Sequence, residues 1–432
     1  MNNLNRKPEA PQGPDEPAAD IATAMARVKA VVGQHFPEAL DPVKAALAVA
    51  AVGCLKDNEQ PTTLIFVAPA SAGKSMALNF MMPVSEKDPL AAFFYRSDKF
   101  TAASFVSHRA DTTEKKLRSV DLLPRLEKKT LLTKELAPMF AGRRDELTER
   151  FAVLTAVLDG KGYVSDSGAH GRRGYLRPIN FQWLGATTPL SPEVLAVMAT
   201  LGPRMLFYDA DRPRQDTEAL VALARRANDE AAKRGCQAAV CDFLLQLYTQ
   251  SPPGSIDSSR IVFEEGRLRL IALWAQVVVA LRATVQRARA DQYSLDGEVV
   301  TGVTVEHPER VLGILRNVAI GSALAHGRGK VNDYDLAQVA HIALSSGVQG
   351  RQMVFRAVLT LGGSATTPQI EAAAGLAAPT VRRHMEDLKL IGLARLERTP
   401  GSAARIALVE PFTELCSAPP LKAKRGEAEQ PC

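Results

Sequence analysis

The residues with the clearest chemical meaning in this chain are Gly73-Lys74-Ser75, because of what stands on either side of them. An apolar, β-rich run, TTLIFV (62–67), leads directly into Ala68-Pro69-Ala70-Ser71-Ala72-Gly73-Lys74-Ser75, and MALNFMM then reads as a helix that Pro83 stops. Strand, tight loop and helix N-terminus in that order present a row of backbone N–H groups to an anion. The Lys74 ammonium adds charge for the β- and γ-phosphates of a nucleotide, and the Ser75 hydroxyl suits Mg2+. Residues 68–75 are therefore the expected ATP-binding loop, with Ser75 as its metal ligand. Such loops usually open on Gly; Ala68 stands there and demands an ordinary backbone angle. The alternative is a helix start that happens to carry Lys-Ser.

Cleaving a phosphate needs a carboxylate at the tip of a neighbouring strand to polarise the attacking water, and usually a second acid behind the metal. Thr130-Leu131-Leu132-Thr133-Lys134-Glu135 offers Glu135 as that base. The residue before it, where the acidic partner of the metal belongs, is Lys134, a cation. On the alternative reading, Glu135 only begins a helix and pairs with Lys134 or Arg143.

These groups require a scaffold with several strand tips side by side. Short β-rich runs at 62–67, 91–95, 130–133, 180–187 and 204–208 alternate with helical stretches, the pattern of a parallel α/β sheet with covering helices. One helix is expected from Ile21 to about Phe36, and another from Val43 to Leu55 behind Asp41-Pro42. Residues 215–345 read as almost wholly helical, broken by the turn-rich SPPGSIDSS (251–259).

The block 352–410 has a pattern of its own. QMVFRAVLTLGG gives a helix, TTPQIEAAAGL a short second one ending at Gly375, and APTVRRHMEDLKLIGL a third begun by Pro379. LARLE, a TPG turn and ARIALV supply a two-stranded wing, which makes the whole a winged helix. Arg382, Arg383, His384 and Lys389 lie on the third helix, and Arg398 and Arg405 on the wing. Across 353–411 there are 7 basic and 5 acidic residues, a modest excess that leaves open DNA contact or a docking role. A second nucleic-acid candidate is the Gly- and Tyr-rich stretch 160–175, read as a protruding β-hairpin. Its Arg172 and Arg173 could contact a phosphate backbone and its tyrosines could stack on bases; the alternative is a flexible solvated loop.

The chain has 432 residues, with 53 Lys and Arg against 47 Asp and Glu, a formal charge of +6. Its 46% hydrophobic and 23% charged composition belongs to a folded protein with a sizeable core, and excludes a wholly disordered chain, a collagen-like fibre and a disulfide scaffold. Cys54, Cys236, Cys241, Cys416 and Cys432 are too scattered for a disulfide framework or a zinc site. No apolar run reaches the roughly 18–20 residues of a membrane span. The opening stretch is polar and Pro-rich, without the apolar segment of a secretory signal, so a cytoplasmic protein with no membrane partner is expected.

The order of these parts resembles an AAA+ ATPase, and within that class the chain is similar to the minichromosome maintenance helicases over residues 41–345. DPVKAALAVAAVGCL (41–55) resembles the helix leading into the ATPase core, FTAASFVSHRA (100–110) the segment between the two Walker motifs, and DELTERFAVLTAVLDGKGYVSDSG (145–168) the approach to the pre-sensor hairpin. FQWLGATTP (181–189) resembles the sensor-1 strand, with Thr188 where the family has Asn. GPRMLFYD (202–209) is similar to the arginine-finger motif, which makes Arg204 the finger. HPERVLGILRNVAIGSALAHG (307–327) resembles the lid helices, with Arg310 in the sensor-2 place. The family carries a large N-terminal module, whereas residues 1–40 alone precede the core here, as in a compact bacterial or mobile-element relative.

The resemblance implies an α/β P-loop NTPase core with a helical lid and a C-terminal winged helix. It implies Glu135, Arg204, Arg310 and Thr188 as catalytic, ATP and Mg2+ as cofactors, and DNA as partner through Arg172, Arg173, Arg382, Arg383, Lys389 and Arg398. It also implies a ring of copies, as a hexamer, in which Arg204 and Arg310 complete a neighbour's site. The runner-up function is an ATP-gated initiator, loader or regulator that binds DNA with little or no hydrolysis. The expected divisions are a disordered 1–20, an ATPase core 21–214, a helical lid or insertion 215–350, a winged helix 351–411 and a flexible tail 412–432.

Overall fold

The computed structural model describes residues 19–70, 72–107, 114–167, 171–202, 204–211, 216–227, 229–289 and 298–418. The expectations for residues 1–18, for Ser71, for the hairpin tip 168–170 and for 419–432 lie outside these. Two helices come first, α1 (Ala19–His35) and α2 (Pro37–Val52). The second starts six residues earlier than Asp41-Pro42 suggests. Pro37, with its fixed φ, already opens it, and Pro42 is carried inside at the loss of one backbone hydrogen bond.

The α/β part follows in chain order: β1 (Thr62–Val67), α3 (Met76–Phe80), β2 (Phe94–Arg96), α4 (Glu114–Val120), α5 (Leu122–Leu126), β3 (Thr130–Thr133), α6 (Arg144–Val157), β4 (Tyr163–Ser167), β5 (Gly171–Tyr175), β6 (Gln182–Thr187), α7 (Pro192–Leu201) and β7 (Met205–Asp209). Five of the strands form one parallel sheet in the order β2-β3-β6-β1-β7. All five are at the expected places. The first half of 91–95 is instead a turn of 3-10 helix, Pro89–Ala92, capped by the Asp88 side chain.

Burial follows the two-residue period of the strands. Leu64, Phe66, Leu132, Leu184, Ala186, Leu206 and Tyr208 join one core cluster, while Ile65, Leu131, Trp183, Met205 and Phe207 join another. The second cluster is closed by α5, α6 and α7. The first is closed by α1, α2 and α3, together with the helices after the sheet: α8 (Thr217–Ala227) leads to α9 (Glu230–Gln250) and α10 (Glu265–Arg282), which join that cover. The turn-rich stretch 251–259 is indeed irregular, with Ser258 held by Asp57.

The helical reading of 215–345 fails at one point. An antiparallel hairpin, β8 (Thr284–Arg289) and β9 (Glu298–Thr304), interrupts it before α11 (Glu309–Ala325) and α12 (Asp333–Ser345). Val299, Val300 and Thr301 of EVVTGVT are β-branched and suit a pleated ribbon better than a helix.

The last unit contains α13 (Gln349–Thr360), β10 (Ser364–Thr366), α14 (Thr367–Ala374), α15 (Ala378–Leu390), β11 (Ala394–Glu397) and β12 (Arg405–Leu408). Its three strands pair antiparallel in the order β10-β12-β11. Gly375 caps α14 with a left-handed φ of 65°, the role expected of it. Asp387 on α15 is 3% exposed and gathers Arg287 of the β8–β9 hairpin, Arg351 of α13 and His384. His384 therefore lies half-buried beside a carboxylate, not among outward cations. The tail begins later than 412: Phe412–Ser417 is a 3-10 helix with Leu415 fully buried, and Glu414 pairs with Arg269 at 2.5 Å.

Candidate active site

Parallel strands deliver their C-terminal ends to one edge, and the register fixes what meets there. Val67 of β1 is level with Thr187 of β6 and Asp209 of β7, and the backbone N–H of Ala68 donates to the Thr187 carbonyl at 3.3 Å. On the other side of β6, Thr133 of β3 is level with Gly185, so Lys134 and Glu135 run on beside the last residues of β6. The Leu136 N–H donates to the Ala186 carbonyl at 2.8 Å and holds them there.

Lys74 is 8% exposed, and its Nζ lies 3.7 Å from Glu135 Oε2. Glu135 also accepts from the Ala137 N–H through Oε1 at 3.0 Å. The Ser75 hydroxyl donates to the Lys134 carbonyl at 3.3 Å. Lys74, Ser75 and Glu135, separated by about sixty residues in sequence, thus occupy one spot at the sheet edge, beside half-buried Thr188. Gly73 takes φ 84°, a conformation that explains why this loop position is Gly, whereas Ala68 keeps an ordinary one. The helix after the loop is five residues long, shorter than MALNFMM suggested.

Lys134 stands within electrostatic reach of Asp98, just past β2. A hydrogen bond from Arg96, and then the charges of Arg96 and Lys134, offset the partial burial of Asp98 and hold its carboxyl below the usual range. The Lys134 charge is therefore partly answered on the β2 side of the tip.

Arg204 and Arg310 lie elsewhere. Arg204 immediately precedes β7, whose first residue, Met205, is level with Thr63 at the start of β1. The length of the strand, roughly 3.3 Å per residue, separates it from its own loop by about 15–20 Å. Arg204 is 9% exposed; Nε is 2.9 Å from Asp159 Oδ1, and the guanidinium also reaches the Gly202 carbonyl. Arg310 Nη2 lies 3.8 Å from the same Asp159 oxygen, and this side chain is 37% exposed. Asp159, in the turn after α6, joins the two arginines that the sequence treats separately. Only its place in an Asp-Gly turn hinted at it.

Of the nucleic-acid candidates, Arg172 is exposed and sits opposite Asp166 across the β4–β5 hairpin, with Arg173, half-buried, opposite Ser165. Arg382, Arg383 and Lys389 are on the exposed side of α15. Arg398 on the wing pairs with Glu386 of α15, which lowers the net positive charge of that face. Arg382 and Arg398 share a groove of about 390 Å3 with Glu371 and Met385.

Sequence reasoning missed a larger cavity of about 440 Å3 beside the loop, walled by Ala68, Pro69, Leu190 and Asp209 on one side and by Gln352, Met353 and Arg356 of α13 on the other. Gln352 and Arg356 are four apart on one helix face, a spacing that also suits an ordinary buried face. Among the described residues no cluster of three or more His, Cys, Asp or Glu could hold a metal, and no helix is long and apolar enough to cross a membrane. No protein-family model matches the chain, and a search of curated proteins finds no match either.

Proposed function

We propose that this chain is an ATP-binding and ATP-hydrolysing protein of the AAA+ type that acts on DNA, in the manner of the minichromosome maintenance helicases, and that it works as a ring. The observation that carries this reading is the strand order β2-β3-β6-β1-β7. It places Lys74, Ser75, Glu135 and Thr188 at three adjacent strand tips. The C-terminal unit, three helices with a small antiparallel sheet, supports the winged-helix assignment.

In this reading Lys74 leaves Glu135 for the phosphate oxygens when ATP enters. Glu135 then takes a proton from water as the water oxygen attacks the γ-phosphorus and the bond to ADP breaks. In the same reading Thr188, just past the β6 tip, hydrogen-bonds the γ-phosphate. Bound Mg2+, held by the Ser75 hydroxyl, would screen the phosphate charge. The developing negative charge needs a cation from outside this edge, and Arg204 and Arg310 are too far from their own loop to supply it. Presented by a neighbouring copy, such an arginine contributes roughly 10³–10⁵ in rate.

A second reading, an ATP-gated initiator, loader or regulator with little hydrolysis, is favoured by Lys134 where the second acid belongs. Steady-state ATP hydrolysis of the wild type and Glu135→Gln, with and without single-stranded DNA, separates the two. Turnover stimulated by DNA and lost in the variant supports the motor. ATP binding with no turnover under either condition supports the switch.

A further inference from the structure

Lys134 has no part in the hydrolysis described above, yet it stands where the acid behind the metal belongs. The other donors at this edge do not make up for that acid. Ser75 offers a hydroxyl, which donates to the Lys134 carbonyl at 3.3 Å. Glu135 is engaged by Lys74 and by the Ala137 N–H. Magnesium at a phosphate site takes oxygen ligands, one or two of them carboxylates. The donor set of this edge fits it poorly.

We infer that the Lys134 ammonium takes the place of the divalent cation in nucleotide binding, so that the loop holds ATP with nearly equal affinity with and without Mg2+. The inference rests on the proposed nucleotide site and specifies its charge balance. Putting an ammonium where a carboxylate belongs shifts the local charge by two units, the charge of one magnesium ion. Lys74 and Lys134 then stand against the single carboxylate of Glu135, an edge already suited to a polyanion. The same cation repels an incoming divalent ion. The placement allows this. With its carbonyl against the Ser75 hydroxyl, Lys134 has the phosphate loop within the span of its four-carbon stem. Leu132, two residues earlier, packs in the cluster that holds Ala77 and Leu78 of α3. The alternation of the strand carries Lys134 toward that same face, the side of the helix that follows the loop. Its side chain is half-buried, and among the described residues no acid forms an ion pair with it. Asp98, which feels its charge, is already bonded to Arg96 at 2.9 Å.

The test is calorimetric titration of ATP into the full chain, once with Mg2+ and once with EDTA. The wild-type affinity is expected to differ by no more than about threefold between the two. By linkage, Mg2+ should then bind the protein–ATP complex about as tightly as it binds free ATP. Lys134→Met removes the charge at similar length and should cost about tenfold in EDTA and little with Mg2+, the size of one charge-assisted contact. Lys134→Asp puts an acid in the metal's usual place and should make binding at least about 100-fold tighter with Mg2+ than without. A wild-type affinity that falls by more than threefold when Mg2+ is withdrawn overturns the inference, and this measurement needs no variant. So does a Lys134→Met chain that matches the wild type in EDTA. In both cases Lys74→Ala still weakens ATP, and the phosphate loop stands. If the wild type binds ATP under neither condition, or Lys74→Ala binds it as tightly as wild type, the nucleotide site itself fails and the role of Lys134 falls with it.

Discussion

The two ends of the five-stranded sheet hold charge in opposite ways. At the C-terminal edge a buried lysine faces a half-exposed carboxylate at 3.7 Å, too long for a hydrogen bond and easily exchanged for phosphate. At the N-terminal edge Arg204 grips Asp159 at 2.9 Å and Arg310 stands behind it. One end is open to an anion, and the other is a store of cations held by a single acid. On the proposed reading, these two ends are the parts of one catalytic site, at positions that cannot meet within a single chain. The proposed ring resolves this geometry, since heterologous contacts bring one end of a copy against the other end of the next.

The largest expected effect comes from breaking the N-terminal end. Arg204→Ala should lower turnover by roughly 10³-fold or more while leaving ATP affinity unchanged. Because the change also strips Asp159 of its main partner, the melting temperature should fall. Arg204→Lys keeps the charge, so it should recover the stability and not the rate. At the other end, Lys74→Ala should reduce ATP affinity by about 100-fold, the loss of a charge-assisted contact to phosphate, measured calorimetrically. A change in affinity at Arg204, or none at Lys74, would erase the contrast between the ends.

Smaller effects belong to the surfaces between them. Arg172→Ala should weaken single-stranded DNA binding about equally across sequences and lower the slope of log affinity against log salt by about one. The joint between the β8–β9 hairpin and the C-terminal unit should respond to acid. Burial alone would raise the Asp387 carboxyl, but hydrogen bonds from His384 and Arg287 and the charges of Arg351 and Arg287 hold it at about 2, against 3.8 for a free Asp. A depressed acid stabilises the fold fully above its unfolded value and loses that contribution as pH falls through the folded one. Thermal unfolding should therefore show a loss between about pH 4 and pH 2 that Asp387→Asn removes.

The strands were legible in the sequence because each is a short apolar run with turn residues on both sides, and the loop because Gly73-Lys74-Ser75 follows one of them directly. Glu135 was legible because it ends such a run. What escaped was whatever depends on contacts across the fold. Asp159 is marked locally by nothing beyond its Asp-Gly turn; only the folded chain brings it to Arg204 before β7 and Arg310 of α11. Gln352 and Arg356 look like one face of an ordinary helix until α13 is placed against the phosphate loop. The β8–β9 hairpin was lost inside a helical reading because its first strand, TVQRAR, lacks the apolar alternation that announces a half-buried strand. His384 reads as a surface cation by its neighbours Arg382 and Arg383, and only the fold turns it toward Asp387.

The central claim is that a site is shared between chains, and subunit mixing tests it most directly. Lys74→Ala and Arg204→Ala should each be inactive alone, for opposite reasons. Mixed in equal amounts, they should recover ATP hydrolysis, because about one interface in four then joins an intact loop to an intact arginine. A mixture as inactive as its parts, under conditions where wild-type chains assemble and hydrolyse ATP, would contradict the claim.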